Sequence, residues 1–343
     1  MLNPLDIFIL LVVALAQWRL GRLWLRAAER RAIGPVTARA ALWLYSSALA
    51  AALLLGLPQI GAPLGVDRSF AVAAAAAHAW AFTSTAGYFI YEAVALAGRR
   101  MAPAPLDPGR RRALQAFGGA LAASPVMAIG YGTLVGRTGF ELREVDVPVP
   151  GLPHDLENLR ILHLSDIHLS AFLSEEEFAR VVDASNAARP HVAVVTGDMI
   201  STRGDPLDAC LRQMARLRAD AGVLACMGNH EEYARAKDYA AREGARLGIR
   251  FLRSAREALR FGGAILNFAG VDYEPVARRP RYLAGAERLL APGAVNVLLS
   301  HNPDVFPVAA AKGYDLTLSG HTHGGQVTVE ILDQALNPAR FLT

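Results

Sequence analysis

The sequence predicts an all-α membrane region of about four transmembrane helices at residues 1–137, followed by an α/β domain at residues 138–343. Three observations predict this division. The 343-residue chain confines its charges to short clusters up to about Arg137 and spreads them out from Phe140 onward. Eight of its nine His follow residue 150. Short apolar runs then alternate with helical patterns, which is typical of a layered α/β domain and allows two sheets.

Four apolar stretches define the first region, at residues 5–20, 40–57, 70–96 and 113–134. A helix needs about 20 apolar residues to cross the hydrocarbon core, and the last three stretches meet or approach that length. Arg19 and Arg22 interrupt the end of the first stretch. The alternative is a buried bundle in a soluble protein, whose helices would carry a polar face. Residues 71–82 carry almost none.

Arginine positions predict the orientation in the membrane. Six Arg lie at residues 19–39 and five at residues 99–112, whereas Arg68 is alone between the second and third stretches. The positive-inside rule then assigns the first and third loops to the cytoplasm, so the α/β domain faces outside. Residues 1–6 contain no Lys or Arg, so we expect no cleavable signal peptide. The formal charge of +4 is interpreted as a topology signal, and no nucleic-acid partner is expected.

Strand and helix patterns follow one another after residue 138. Residues 140–149 alternate polar and apolar side chains, which predicts an edge strand ending at Pro150. Further strands are predicted at residues 159–164, 191–196, 223–227, 264–271, 295–300, 316–319 and 326–331. Helices are predicted at residues 174–188, 207–218, 232–247 and 304–311. Ser174 and Glu177 form the pattern of a capping box at the start of the first of these helices. Cys210 and Cys226 show no metal or redox spacing and are interpreted as small apolar residues.

Five short motifs place polar side chains at the ends of predicted strands, where open α/β sheets bind ligands. They are Asp166-Ile167-His168, Gly197-Asp198, Gly228-Asn229-His230-Glu231, Ser300-His301-Asn302 and the run GHTHGGQ at residues 320–326. Carboxylates, imidazoles and an amide are the groups that bind Zn, Mn or Fe. Two cations about 3.5–4 Å apart activate water for attack on a phosphate, so the motifs predict a two-metal hydrolytic site.

The order and spacing of these motifs resemble the calcineurin-like metallophosphoesterase superfamily, and GHTHGGQ resembles its membrane-associated bacterial branch. The resemblance covers about residue 143 to the C-terminus and implies a two-sheet α/β sandwich with two divalent ions. It implies a ligand set of Asp166, His168 and His323 for the first metal, Asp198 as the bridge, and Asn229, His301 and His321 for the second metal. It also implies that His230 is not a ligand but contacts the phosphate and assists the leaving group.

Other polar residues receive simpler interpretations. His163 lies inside a predicted strand and is interpreted as a packed neighbour. Asp272 is interpreted first as a turn residue, with a second interpretation as a group that orients a ligand. Glu231 is open to the same second interpretation, acting on His230 or Asn229.

The sequence thus favours a membrane-anchored phosphohydrolase that cleaves phosphodiester or pyrophosphate bonds of a lipid-linked or cell-envelope substrate. The resemblance implies a place in the bacterial inner membrane, and it brings in relatives that cleave UDP-diacylglucosamine. That substrate is cytoplasmic, so the predicted outside orientation favours a cell-envelope phosphoester. The alternative is a membrane sensor or scaffold with a catalytically weak phosphoesterase domain, against which the full ligand set argues. Transport has little support because the spans contain few polar groups.

Overall fold

The computed structural model describes residues 4–56, 70–100, 109, 131, 139–323, 329–331 and 334–336. The chain divides into two compact units, Met1–Gly139 and Phe140–Thr343. Each unit is built differently, the first from long helices and the second from short strands and helices.

Long apolar helices form the described part of the first unit. They are α1 (Pro4–Arg30), α2 (Pro35–Leu55) and α3 (Phe70–Arg100). Two of the described helices are long and apolar enough to cross a membrane, over Ile7–Arg30 and Pro35–Leu55. Only 17% and 6% of their apolar windows are buried, whereas the core helix of a soluble protein is mostly buried. The predicted number of four spans is not confirmed, because the third stretch is helical without passing this test and the fourth, apart from Tyr131, lies outside the described residues.

Hydrogen bonds between polar side chains connect the three helices. The indole nitrogen of Trp80 in α3 donates to the hydroxyl of Tyr45 in α2 at 2.7 Å. That hydroxyl donates to Oε1 of Gln17 in α1 at 3.0 Å, and Nε2 of Gln17 donates to Oγ of Ser84 in α3 at 2.8 Å. Polar groups in apolar surroundings are costly without partners. These hydrogen bonds therefore favour one rotation of each helix about its axis.

Two four-stranded sheets organise the second unit. The first contains β1 (Ile161–Leu164), β2 (Val192–Thr196), β3 (Val223–Cys226) and β4 (Ile249–Phe251), all parallel and in that order. The second contains β5 (Ala255–Phe261), β6 (Ala264–Gly270), β7 (Val295–Leu299) and β8 (Leu316–Leu318), again in order. Here β5 is antiparallel to β6, and the remaining pairs are parallel. The short strands β9 (Val329–Ile331) and β10 (Gln334–Leu336) form an antiparallel pair.

Helices connect the strands. The described α-helices are α4 (Glu175–Ala187), α5 (Leu207–Met214), α6 (Asn229–Tyr233), α7 (Lys237–Arg246) and α8 (Phe306–Lys312). Short 3-10 helices lie at His154–Leu156, Val276–Arg281, Ala286–Leu289 and Pro303–Val305. The predicted capping box at the start of α4 is confirmed, since the Glu177 N–H donates to Ser174 Oγ and the Ser174 N–H donates to Glu177 Oε2.

The two sheets pack face to face around a shared apolar core. Val192 and Val194 of the first sheet lie in one cluster with Phe268 and Val297 of the second. The side chain of Phe268 is fully buried, and burial of such a group stabilises the fold by roughly 1.5–3 kcal/mol. Val192 and Val194 of β2 face this inner core, whereas Ala193 and Val195 pack with helical residues on the opposite face, so β2 is buried along its whole length.

Helices cover the outer faces of both sheets. Phe178 of α4 and Leu211 of α5 pack with β2 and β3 residues on the outer face of the first sheet. Ala309 of α8 packs with Leu298 on the outer face of the second. The result is an α/β sandwich with two central sheets, which confirms the predicted α/β class.

Two sequence-based predictions of elements are wrong, and two strands were not predicted. Residues 140–149 form no strand, and Val145 is 77% exposed. Alternation gives a strand only where a neighbour takes up its backbone hydrogen bonds, and no described strand pairs with this segment. The predicted helix at residues 232–247 is two helices, because Arg235 between them has a left-handed φ of 56°. Strands β4 and β5 were not predicted, although β5 alternates and ends at the turn residues Gly262 and Gly263.

Candidate metal centre

The predicted site residues lie in loops at one edge of the sandwich. Asp166 and His168 follow β1, Asp198 follows β2, and Asn229 follows β3. From the second sheet, His301 follows β7, and His321 and His323 follow β8. Because these strands are parallel within each sheet, their carboxyl ends bring the loops to a common edge.

Asp166, His168 and His323 form one cluster, which we call the open cluster. Their potential ligand atoms lie within 4.8 Å of one another. Nε2 of His323 is 3.4 Å from Oδ1 of Asp166. The rings of His168 and His323 are stacked with centroids 5.0 Å apart. The spacing leaves room for one cation among the three side chains.

Asp198, His301 and His321 form a second cluster, which we call the buried cluster. Nε2 of His301 is 2.9 Å from Oδ2 of Asp198, and both side chains are almost fully buried. Nδ1 of His321 is 2.9 Å from Oδ1 of Asn229, so the amide oxygen joins this cluster. The arrangement offers carboxylate, imidazole and amide ligand atoms to one cation.

Asp198 lies where the two clusters meet. Its Oδ2 atom is 3.7 Å from Nε2 of His168 in the open cluster and 2.9 Å from Nε2 of His301 in the buried cluster. Nε2 of His230 is 3.9 Å from the same oxygen. All eight residues predicted from the sequence therefore converge on one region, with the Asp198 carboxylate at its centre.

Two buried imidazole nitrogens without hydrogen-bond partners indicate that this region suits a metal ion. Nε2 of His168 and Nε2 of His301 are buried and make no hydrogen bond. Nδ1 of His301 lies 2.6 Å from the carbonyl oxygen of Thr196 and can donate to it, which leaves the lone pair of Nε2 facing the site. Metal-bound His residues commonly hold their second nitrogen in this way. The donor set therefore fits a divalent cation such as Zn, Mn or Fe.

Electrostatics support the same conclusion. Burial lowers the pKa of His168 and of His321, so both imidazoles favour the neutral form that coordinates a metal. Burial also opposes ionisation of Asp198, but His301 and the backbone N–H of His230 outweigh it and lower the pKa of that carboxyl. Although burial disfavours a charged His301, the Asp198 carboxylate raises its pKa. The pair thus attracts a positive charge, either a proton or a cation.

Strained backbone is concentrated among the same residues. Asp166, His168, Asp198, His321 and His323 all have left-handed φ values between 48° and 73°. This conformation costs of order 1–3 kcal/mol for a residue with a side chain. The rest of the fold therefore holds the site in a geometry that the local sequence disfavours.

Two glycines allow the loops to approach closely. A Cβ atom on Gly228 would collide with the backbone nitrogen and Oδ1 of Asp198. A Cβ atom on Gly320 would collide with the side chains of Ser165 and Asp166. Glycine at these two positions therefore permits the close backbone approach that brings the ligand residues together.

Glu231 joins two of the site loops through their backbone. Its fully buried carboxylate accepts hydrogen bonds from the N–H groups of Gly228, Asp198 and Met199, at 2.8, 2.9 and 2.7 Å. Burial raises the pKa of Glu231, which these three hydrogen bonds oppose. The sequence left open the interpretation that Glu231 orients His230 or Asn229. In the structure its carboxylate binds backbone N–H groups and fixes the loop that carries Asp198 against the loop that carries Asn229.

His163 and Asp272 lie outside the two clusters. Nε2 of His163 is 2.8 Å from the hydroxyl of Thr196, as suits a packed neighbour. Asp272 binds the guanidinium of Arg253 through both carboxylate oxygens, so it forms an ion pair beside the site.

Tyr273 was missed by the sequence analysis. Its buried ring lies 5.4 Å from the ring of His321 and 6.0 Å from that of His301, measured between centroids. The available signal was its position just after β6, which matches the position of the other site residues after their strands.

Comparison with known proteins identifies the domain. Residues 159–325 match the family model described as calcineurin-like phosphoesterase. The chain carries a calcineurin-like metallophosphoesterase domain. The resemblance seen in the sequence motifs is therefore confirmed at the level of the family, and members of this family typically bind divalent metals.

Relatives of this metallophosphoesterase domain occur in bacteria and animals. An uncharacterized metallophosphoesterase of Campylobacter jejuni is 28% identical over 54% of this chain and 49% of its own length. The uncharacterized metallophosphoesterase YkuE of Bacillus subtilis is 28% identical over 67% of this chain and 82% of its own. A zebrafish (Danio rerio) transmembrane protein with a metallophosphoesterase domain is 28% identical over 64% of this chain and 52% of its own. The chain therefore spans about half the length of the first and third relatives.

Proposed function

We propose that this protein is a membrane-anchored two-metal phosphohydrolase that cleaves phosphodiester or pyrophosphate bonds. The observation that carries the proposal is the position of Asp198. Its Oδ2 atom lies within 4 Å of imidazole nitrogens from both clusters, as a carboxylate shared by two cations requires.

Each cluster would hold one divalent ion. The open cluster supplies Asp166, His168 and His323, the buried cluster supplies Asn229, His301 and His321, and Asp198 serves both. When bound, the two ions neutralise phosphate charge and lower the pKa of a water molecule. The chain's own contribution is to hold these side chains in place before substrate arrives, through the strained loops and the Glu231 hydrogen bonds.

His230 is proposed to contact the phosphate and protonate the leaving oxygen. Its Nδ1 atom hydrogen-bonds to the carbonyl oxygen of Ser201, so Nε2 is the nitrogen that faces Asp198 and the site. Its backbone N–H donates to Oδ1 of Asp198 at 2.9 Å. The side chain is 30% exposed, so a substrate can reach Nε2. An imidazole nitrogen in this position can donate a proton to the leaving oxygen.

Membrane anchoring by residues 1–137 completes the proposal. Two apolar helices with little buried surface support it, as does the description of the zebrafish relative as a transmembrane protein. The arginine distribution favours an extracytoplasmic orientation of residues 138–343 in the inner membrane, and hence a lipid-linked or cell-envelope substrate. A reporter fused after Thr343 that works only in the cytoplasm would overturn this orientation.

Turnover of bis-p-nitrophenyl phosphate by the full chain in detergent, with measured metal content, tests the proposed activity. We expect Asp198→Asn to lower turnover by a factor on the order of 10³ or more, because both cations lose their shared carboxylate. Asp220→Asn, an exposed residue away from the strand-end loops, is the matched control and should keep full activity. If Asp198→Asn remains folded by circular dichroism and keeps most of its activity, the assignment is wrong.

A further inference from the structure

A cavity of about 290 Å³ adjoins the proposed catalytic site. It lies between the loop that follows β6 and the two 3-10 helices Val276–Arg281 and Ala286–Leu289. The polar residues that line it include Ser254, Asp272, Glu274, Arg278 and Arg288. We call this space the side cavity.

Tyr273 separates the side cavity from the metal centre. It lines the cavity, and its ring also packs against His321 and His301 of the buried cluster. A substrate held at the metal centre would therefore need to extend past only one aromatic ring to enter the cavity.

The carboxylates of the side cavity have hydrogen-bond partners other than Arg278 and Arg288. Asp272 accepts from Nε and Nη2 of Arg253 at 3.0 and 2.9 Å, and Nζ of Lys237 lies 3.5 Å from it. Oε2 of Glu274 accepts from the backbone N–H of Leu283 at 2.9 Å. Among the described residues, neither carboxylate forms an ion pair with Arg278 or Arg288.

The arginines of the side cavity retain free hydrogen-bond donors. In the part of the chain that the structure describes, the guanidinium of Arg278 makes no hydrogen bond or ion pair. Nε of Arg288 donates to the carbonyl oxygen of Gly285 at 3.2 Å, and its terminal nitrogens make no hydrogen bond to any residue that the structure describes. A guanidinium with free terminal donors matches the geometry of phosphate and carboxylate groups.

From this arrangement we propose that the side cavity binds a second anionic group of the substrate. The substrate class is then a phosphodiester or pyrophosphate that carries a further phosphate, phosphonate or carboxylate group beyond the bond that is cleaved. The inference rests on the proposed function and specifies its substrate class further. A substrate with a single negative charge would have no group for Arg278 to bind.

A matched pair of p-nitrophenyl phosphodiesters tests this inference. One ends its second ester group in a phosphonate, and the other ends it in the neutral dimethyl ester of that phosphonate. We expect the wild-type chain to show a higher kcat/KM for the charged compound, and Arg278→Gln to reduce that preference by about tenfold. The control is Arg279→Gln, an exposed neighbour that does not line the cavity and should keep the preference.

The possible outcomes distinguish failure of the anion-binding inference from failure of the proposed hydrolase function. If Arg278→Gln keeps the preference, or loses activity equally on both compounds, the anion site is wrong while the hydrolase stands. If no protein hydrolyses either compound, the proposed function fails. Calorimetric binding of propane-1,3-bisphosphonate to the metal-free proteins then tests the cavity without the metal centre, with a loss of about tenfold in affinity expected for Arg278→Gln only. Equal affinity in the three proteins would overturn the inference.

Discussion

The open and buried clusters differ in their access to solvent. The side chains of His301 and Asp198 in the buried cluster are 0% and 2% exposed, whereas those of His168 and His323 in the open cluster are 17% and 30% exposed. The fold therefore encloses His301 of the buried cluster completely and leaves His323 of the open cluster near the surface, while His321 and Asp166 are intermediate. We expect the buried position to hold its cation tightly and the open position to exchange its cation and meet the substrate.

Replacing one histidine in each cluster should give the largest difference in metal affinity between the two clusters. We expect His301→Gln to weaken metal binding at its position at least tenfold more than His323→Gln weakens it at the open position. Water can take the place of an exposed ligand, whereas a buried position has no such substitute, and unsatisfied polar groups there are costly. Competition with a chromogenic chelator, with the full chain in detergent, measures both affinities.

The wild-type chain is the control for this pair, and thermal unfolding shows whether each variant remains folded. Equal loss of affinity in the two variants would show that burial does not distinguish the clusters. A larger loss in His323→Gln would reverse the comparison.

A smaller effect is expected from the residue that supports the Asp198 loop. Glu231→Gln replaces a buried carboxylate that accepts three backbone N–H groups with an amide that has a single acceptor oxygen. We expect a loss of roughly 1–3 kcal/mol in the free energy of unfolding, because buried N–H groups lose their partner. Thermal unfolding of the metal-free protein measures this effect without a contribution from bound ions.

Glu232→Gln is the matched control for Glu231→Gln. Glu232 is exposed, and its contact with Nζ of Lys237 at 3.4 Å is a surface ion pair of small energetic value. The support role of Glu231 would be contradicted if the two variants unfold at the same temperature as the wild type.

The sequence predicts the members of both clusters but not the difference between them. Asp166, Asp198 and His301 each follow a short apolar run, so their place at strand ends is a local property. The burial of His301 cannot be read from its neighbours in the sequence. Its ring contacts the carbonyl oxygen of Thr196, which is 105 residues away and belongs to the other sheet. The packing of the two sheets determines solvent access at the site, and a local sequence pattern does not predict that packing.

The same reasoning explains the other features that the sequence did not predict correctly. Residues 140–149 alternate as a strand does, but alternation does not supply a partner strand. The side cavity depends on the hydrogen-bond partners of the carboxylates near Arg278, which are Arg253 for Asp272 and the backbone N–H of Leu283 for Glu274. No local sequence pattern shows these contacts. In the helical unit, Gln17 and Tyr45 look like isolated polar interruptions in the sequence, and only the helix arrangement reveals them as hydrogen-bond partners.

Anomalous diffraction from crystals of the manganese-loaded full chain tests the central claim most directly. We predict two peaks about 3.5–4 Å apart at the strand-end edge of the sandwich, both in contact with the Asp198 carboxylate. One peak should lie beside His168 and His323 and the other beside His301 and His321. A single peak, or two peaks that do not share Asp198, would contradict the two-metal centre.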